Sequence, residues 1–194
     1  MPPGPAESPG AEPGTTAEPA VLPALTGRAV LLRGAEQRDV PALAAIRATP
    51  EVRRWWRGPE STADLEAEVG EDLDDPTTRV YAVEFDGRVV GQIQWYEETD
   101  PEYRHAGIDV YLDPAVHGRG LGTDAVRTLA HHLLTDRGHH RLVIDPAADN
   151  TAAIACYRRV GFHPVGTMRA YERGLDGRWH DGLLMDLLPT DLIP

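Results

Sequence analysis

The chain of 194 residues contains no lysine, a single cysteine and no long apolar run, and each absence excludes something. Without lysine there can be no GxxxxGK[ST] phosphate loop, so every basic side chain apart from histidine is an arginine. One cysteine leaves no disulfide framework within the chain. No stretch approaches the ~20 apolar residues of a membrane span. The start has neither the basic nor the apolar region of a secretory leader. These features predict a soluble, cytoplasmic protein without a membrane partner. Positive charge is also scarce: 19 arginines face 31 carboxylates, for a net charge of −12. That argues against nucleic acid, whose phosphates need basic patches, and it suits cationic substrates drawn into an acidic cleft. Base bias and solubility alone would give the same composition. No HExxH occurs, and the pairs His131-His132 and His139-His140 lie near a helix end, where dipole contact suffices. No metal site is expected.

What is present falls into two parts. Residues 1–26 are dominated by Pro, Ala, Gly, Glu and Thr, a composition that cannot bury enough apolar surface to order itself, and are read as a disordered tail. Residues 27–194 suffice for one domain with a sizeable core, as a monomer or a homodimer. Arg28–Arg33 reads as a strand, Asp39–Arg47 and Thr62–Asp72 as helices, and Trp55-Trp56 as a loop between them. Tyr81, Val83 and Phe85 alternate, as do Val89, Gly91, Ile93 and Trp95. Asp86-Gly87 between the two runs signals a hairpin. Arg104–Leu112 is a strand, followed by a helix to about Thr135, a short strand Leu142–Asp145, a helix Asn150–Val160, and strands His163–Tyr171 and Leu183–Leu188 joined by a turn at Gly174–Gly177. This order predicts an α/β fold with a mixed, mainly antiparallel sheet flanked by helices.

The densest signal is His117-Gly118-Arg119-Gly120-Leu121-Gly122. It follows the apolar run Ile108 to Leu112 and opens a helical pattern carrying Val126, Leu129, Ala130, Leu133 and Leu134. A strand, a glycine-rich turn and a helix N-terminus together make an anion cradle. The spacing is GxGxG, so the dinucleotide pattern GxGxxG fails. Such turns are common without any ligand. About thirty residues on, Asn150, Ala153, Ile154, Tyr157, Gly161 and Phe162 spell N-x-x-A-I-x-x-Y-x-x-x-G-F.

Taken together, the two motifs resemble the GCN5-related N-acetyltransferase (GNAT) superfamily, over roughly residues 28 to 188. The superfamily's loop is usually Q/R-x-x-G-x-G/A; His117 departs from the first position, while Gly120 and Gly122 match. The resemblance implies the GNAT fold and acetyl-CoA as co-substrate. It puts the strand Asp109-Val110-Tyr111-Leu112 on the pantetheine arm through Val110 and Leu112, and the backbone of 117–123, ending at Thr123, on the pyrophosphate. It makes Asn150 and Ala153 coenzyme contacts and Tyr157 the acid that protonates the departing thiolate, for which a phenol of pKa ~10 is suited. Spacing alone would make Tyr157 a core residue and Asn150 a helix cap. Cys156 reads as a small buried residue.

A narrower resemblance covers the acceptor side. Arg53-Arg54-Trp55-Trp56, Glu97-Glu98-Thr99-Asp100-Pro101, Gly107-Ile108-Asp109 and Asp145-Pro146 are similar to segments of the aminoglycoside 6′-N-acetyltransferases. It implies that Asp109 takes the proton of the acceptor amine and that Asp145 contacts sugar ammonium groups. Trp55, Trp56, Glu97, Glu98 and Asp100 would complete the acceptor site, and the reaction would acetylate the 6′-amine and confer resistance. Bland readings stand beside these: a solvated loop for Glu97, Glu98 and Asp100, a strand end for Asp145, core packing for the tryptophans. The alternative enzyme is an N-acyltransferase for a lysine-derived siderophore precursor, whose relatives typically carry His at the position of Asp109, or for another small amine.

Overall fold

The computed structural model describes residues 22–194, and its centre is the hairpin that alternation predicts. Thr78–Phe85 (β3) and Arg88–Glu98 (β4) are joined by Asp86 and Gly87, with φ of 50° and 71°. Two successive positive angles define the tight turn that matches strand twist, and Asp-Gly tolerates them best. On one side of the hairpin lie Leu31–Gly34 (β2) and then Leu25–Thr26 (β1). On the other lie His105–Leu112 (β5), Leu142–Ile144 (β6), Trp179–Leu187 (β8) and His163–Arg173 (β7). The eight-stranded sheet runs β1-β2-β3-β4-β5-β6-β8-β7. Among the described residues every pairing is antiparallel except β5 with β6. This is the α/β architecture expected, as a single domain.

The helices form two groups. Val40–Arg47 (α1) and Thr62–Asp74 (α3) share a small core of Leu43, Ala44, Leu65 and Val69, with the short Pro50–Arg53 (α2) between them. Ser61 caps α3 by accepting the Asp64 N–H at 3.1 Å. Leu121–His131 (α4) and Thr151–Val160 (α5) bury Leu121, Val126, Leu129, Ile154 and Val160 in the main core with Ile93, Trp95, Ile108 and Met185. Asn150 caps α5 through the Ala153 N–H at 3.2 Å.

Several boundaries differ from the sequence reading, β8 for example starting at Trp179 rather than Leu183, and three have a plain physical content. Residues 28–30 are a loop rather than the start of a strand. The Asp124 carboxylate on α4 draws in the N–H groups of Arg28, Ala29 and Val30 at 3.0, 2.7 and 3.1 Å. α4 gives way to a π-turn, His132–Asp136, before the expected end. Leu22 and Leu25, assigned by composition to the tail, pack against the main core, and β1 pairs with β2. A tail ending at residue 26 is therefore too long; the rest of it, residues 1–21, lies outside the described residues.

Candidate active site

β5 and β6 pair at only two register positions, Ala106 with Leu142 and Gly107 with Val143, and then part. The gap opens a cleft of about 1490 Å³ bounded by β5, the 116–124 segment, α5 and the segment after β6. Parting leaves one backbone edge of β5 unpaired. Asp113 N–H bonds Val90 O of β4, and Ala106 N–H points the other way, to Arg141 O. Alternation then turns the backbone N–H groups of Val110 and Leu112 toward the cleft and those of Asp109 and Tyr111 toward β4. The free N–H of Val110 is thus available to a ligand, while that of Tyr111 is spent in the sheet.

At one end of the cleft the loop forms an anion cradle. Gly118 and Gly120 adopt φ of 74° and 81°, left-handed backbone that side chains with a Cβ rarely tolerate. None of the backbone N–H groups from Gly118 to Thr123 finds an acceptor among the described residues; Asp124 N–H is the first, bonded to Gly120 O at 3.0 Å. His117 holds the turn in place, its Nε2 donating to Leu112 O at 2.9 Å, which explains the departure at that loop position. Arg28, Arg119, Arg127 and Arg159 line this end, Arg119 stacked 4.5 Å from the Phe85 ring centroid. Unpaired donors and guanidinium groups fit a pyrophosphate. No group of His, Cys, Asp and Glu suited to a metal ion occurs among the described residues.

The rest of the lining mixes aromatic rings and carboxylates with three arginines, of which Arg47 and Arg57 are paired with Glu68, Asp72 and Glu172 and Arg54 lies on Trp55. Asp109 is part-buried, and its carboxyl is pushed up to about 6 by burial first and by the nearby Asp145 charge second. The Gln94 amide opposes this by donating to Asp109 Oδ2 at 3.5 Å. Asp145 follows β6 and also holds the Tyr171 phenol from β7 by a hydrogen bond, which raises that phenol's pKa. Tyr157 is buried, tilted against Phe162 at 6.2 Å, and its phenol is driven upward chiefly by burial, so it stays protonated. Trp56 meets Tyr111 edge-on at 4.8 Å, and Arg54 lies 4.4 Å from the Trp55 ring centroid.

The fold brings most of the sequence candidates to this one cleft: Trp55, Trp56, Asp109 to Leu112, His117 to Thr123, Asp145, Asn150, Ala153 and Tyr157. It does not bring Glu97, Glu98 or Asp100 there. Glu97 takes the Arg104 guanidinium at 3.0 Å, Glu98 takes the Asp100 N–H, and Asp100 the Glu102 N–H. These three carboxylates build the β4–β5 turn instead. Cys156 is half-buried, lines the cleft and lies 3.3 Å from Thr123 Oγ1, with its thiol pushed up by burial. His139 is not a dipole contact: it is buried edge-on to Trp95 at 5.8 Å, and burial lowers it to about 4. Sequence reasoning missed Gln94 and the carboxylates Glu51, Glu68 and Asp72, which also line the cleft. Glu68 and Asp72 flank the buried Arg47. The spacing of Asp64, Glu68 and Asp72 at every fourth residue would have put one acidic stripe on α3.

Comparison with known proteins agrees with this geometry. Residues 29–163 match the family model for an acetyltransferase (GNAT) domain. The chain belongs to the GNAT family and is an acetyl-CoA-dependent acetyltransferase of that type. It is 33% identical over 156 residues to aminoglycoside N(6′)-acetyltransferase type 1 of Klebsiella pneumoniae, covering 72% of this chain and 76% of the relative. It is 36% identical over 110 residues to mycothiol acetyltransferase of Arthrobacter sp. (strain FB24), covering 55% of this chain and 33% of that protein. The solved structure of AAC(6′)-Ib in complex with paromomycin and acetyl-CoA superposes with a TM-score of 0.69 at 27% identity, covering 84% of this chain and 95% of that one.

Proposed function

We propose that this protein transfers the acetyl group of acetyl-CoA to a primary amine of an aminoglycoside, at the 6′ position, and so confers resistance to the drug. The observation that carries the reading is that one cleft holds both an anion cradle at Gly118 to Thr123 and the coupled carboxyls of Asp109 and Asp145, with Trp55 and Trp56 in its lining. The relatives that act on aminoglycosides support it, as does an Asp rather than a His at position 109.

Acetyl-CoA supplies an activated thioester. The N–H groups of Gly118 to Thr123 hold its pyrophosphate, and the free edge of β5 at Val110 and Leu112 aligns the pantetheine arm and offers an N–H to the thioester oxygen. A polycation entering the acidic end meets Asp145 and Asp109, which give charge-assisted hydrogen bonds. Asp109, with its pKa near 6, is ionised at neutral pH yet basic enough to accept the amine proton. Tyr157 remains protonated and gives its proton to the departing thiolate. Trp55, with one face taken by the Arg54 guanidinium, and Trp56 offer their remaining exposed surface to the sugar rings.

The test is thiol release from acetyl-CoA with kanamycin, tobramycin, gentamicin, lysine and spermidine, with mass spectrometry of each product. We expect turnover on the aminoglycosides and an acetyl group on the 6′-amine. Turnover confined to lysine or spermidine would overturn the substrate assignment and leave the acetyltransferase.

A further inference from the structure

A chain of hydrogen bonds runs from the buried core to the part-buried Asp109. Tyr111 Oη donates to Gln92 Oε1 at 3.0 Å, Gln92 Nε2 donates to Gln94 Oε1 at 2.8 Å, and Gln94 Nε2 donates to Asp109 Oδ2 at 3.5 Å. Gln92 is fully buried in the middle of β4, an unusual place for a carboxamide, and both of its polar atoms are engaged in this chain. The chain follows from register. Gln92 pairs with Tyr111 and Gln94 with Asp109 across β4 and β5, so four side chains at alternate positions share one face.

The chain has a polarity, because each carboxamide offers an oxygen on one side and an N–H on the other. The Tyr111 proton decides it. The nearer acceptor is Gln92 Oε1 at 3.0 Å; the alternative, Leu43 O, is 3.5 Å away. With that proton on Gln92, the Gln92 N–H must face Gln94, and the Gln94 N–H must face Asp109. Reversed, Gln94 would turn its oxygen on the carboxylate and repel the ionised form.

We propose that Gln92 and Tyr111 are positioning residues, which lock the Gln94 amide with its N–H toward Asp109 and so favour the carboxylate that accepts the acceptor's proton. The catalytic part rests on the reading of Asp109 as the base. The lock itself does not. The other groups around Asp109 are Asp145 beyond β6, Tyr96 on β4, Tyr157 on α5 and Tyr171 on β7. Burial holds Tyr96, at about 12, and Tyr157 protonated, and the hydrogen bond to Asp145 does so for Tyr171, so among the described residues Asp145 is the charge that acts on Asp109. Arg47 and Asp72 act on the far end of the chain, at Tyr111.

Two readouts separate the lock from the mechanism. The first is the Asp109 carboxyl titration followed by ¹³C NMR, in wild type, Tyr111→Phe, Gln92→Met and the double variant. Removing both partners of the Tyr111–Gln92 bond leaves no orphaned polar atom on either, and Gln94 Oε1, which loses its donor, is in a part-buried side chain that water can reach, so we expect the double variant to fold, as checked by its thermal unfolding. We expect the midpoint to rise by about half to one pH unit in each, with the double variant matching the singles. An unmoved midpoint overturns the lock. The second readout is the pH dependence of kcat/KM for thiol release with kanamycin. We expect its acid limb to move upward with the NMR midpoint in the same variants, with kcat reduced at pH 6 and restored at pH 8. An acid limb that survives in Asp109→Asn overturns the base reading and the catalytic role of the chain, whatever the NMR midpoints do.

Discussion

In the proposed reaction Asp109 is the residue that takes the acceptor's proton. A carboxylate inside an otherwise apolar strand already marked it in the sequence. Its environment was hidden there, because Gln94 becomes its neighbour only through the β4–β5 register and Asp145 only through the short parallel pairing of β5 with β6. Replacing it with asparagine should lower kcat on aminoglycosides by roughly 10²–10⁴-fold, the range for loss of a general base, with acetyl-CoA affinity little changed. The same variant should be more stable. The folded-state pKa of about 6 lies above the ordinary carboxylate value, so ionisation disfavours folding. That burden is absent below the unfolded pKa of ~4 and complete above 6. We expect Asp109→Asn to raise Tm by several degrees at pH 7.5 and to match wild type near pH 4, measured by calorimetry. A destabilised variant at pH 7.5 would mean that the carboxylate is structural.

The anion cradle is a property of three elements rather than of any side chain: β5, the glycine turn and the N-terminus of α4. It could be read from the sequence because strand, glycine spacing and helix period adjoin along the chain. The acidic end could be read only in part: the resemblance pointed to Trp55, Trp56, Asp109 and Asp145, whereas Glu51, Glu68, Asp72 and Tyr171 join them from α2, α3 and β7 only in the fold. The charge run at 97–100 was correspondingly misleading: its carboxylates are consumed by a turn. Gly120→Asp should therefore weaken acetyl-CoA binding by more than ~10-fold and abolish the thermal shift that the coenzyme gives wild type. The open space around Gly120 means that its φ of 81° alone limits substitution. Gly120→Ala should accordingly cost only ~1–2 kcal/mol of stability. An unchanged thermal shift in Gly120→Asp would reduce the loop to a turn.

For the molecule as a whole, the start of the domain and its response to acid both depend on contacts that composition conceals. Leu22 and Leu25 lie in a stretch of tail-like sequence yet rest on the core. A chain deleted through residue 26 should melt several degrees below one deleted through residue 21, by thermal denaturation. His139, buried neutral at about 4, makes stability fall as pH drops from its ordinary 6.5 toward 4, since the unfolded chain takes up the proton that the folded one refuses. His139→Phe should flatten that fall; an equal fall would assign it elsewhere. The most direct measurement compares kcat/KM for an aminoglycoside and for a monoamine hexosamine, in wild type and Asp145→Asn, at low and physiological salt. Partly exposed charges are screened within ~8–10 Å at physiological ionic strength. We expect the polycation to be strongly preferred, to lose that preference with added salt, and to suffer far more than the monoamine from Asp145→Asn. Equal use of both amines, indifferent to salt and to Asp145, would contradict acetyl transfer to a polycationic drug.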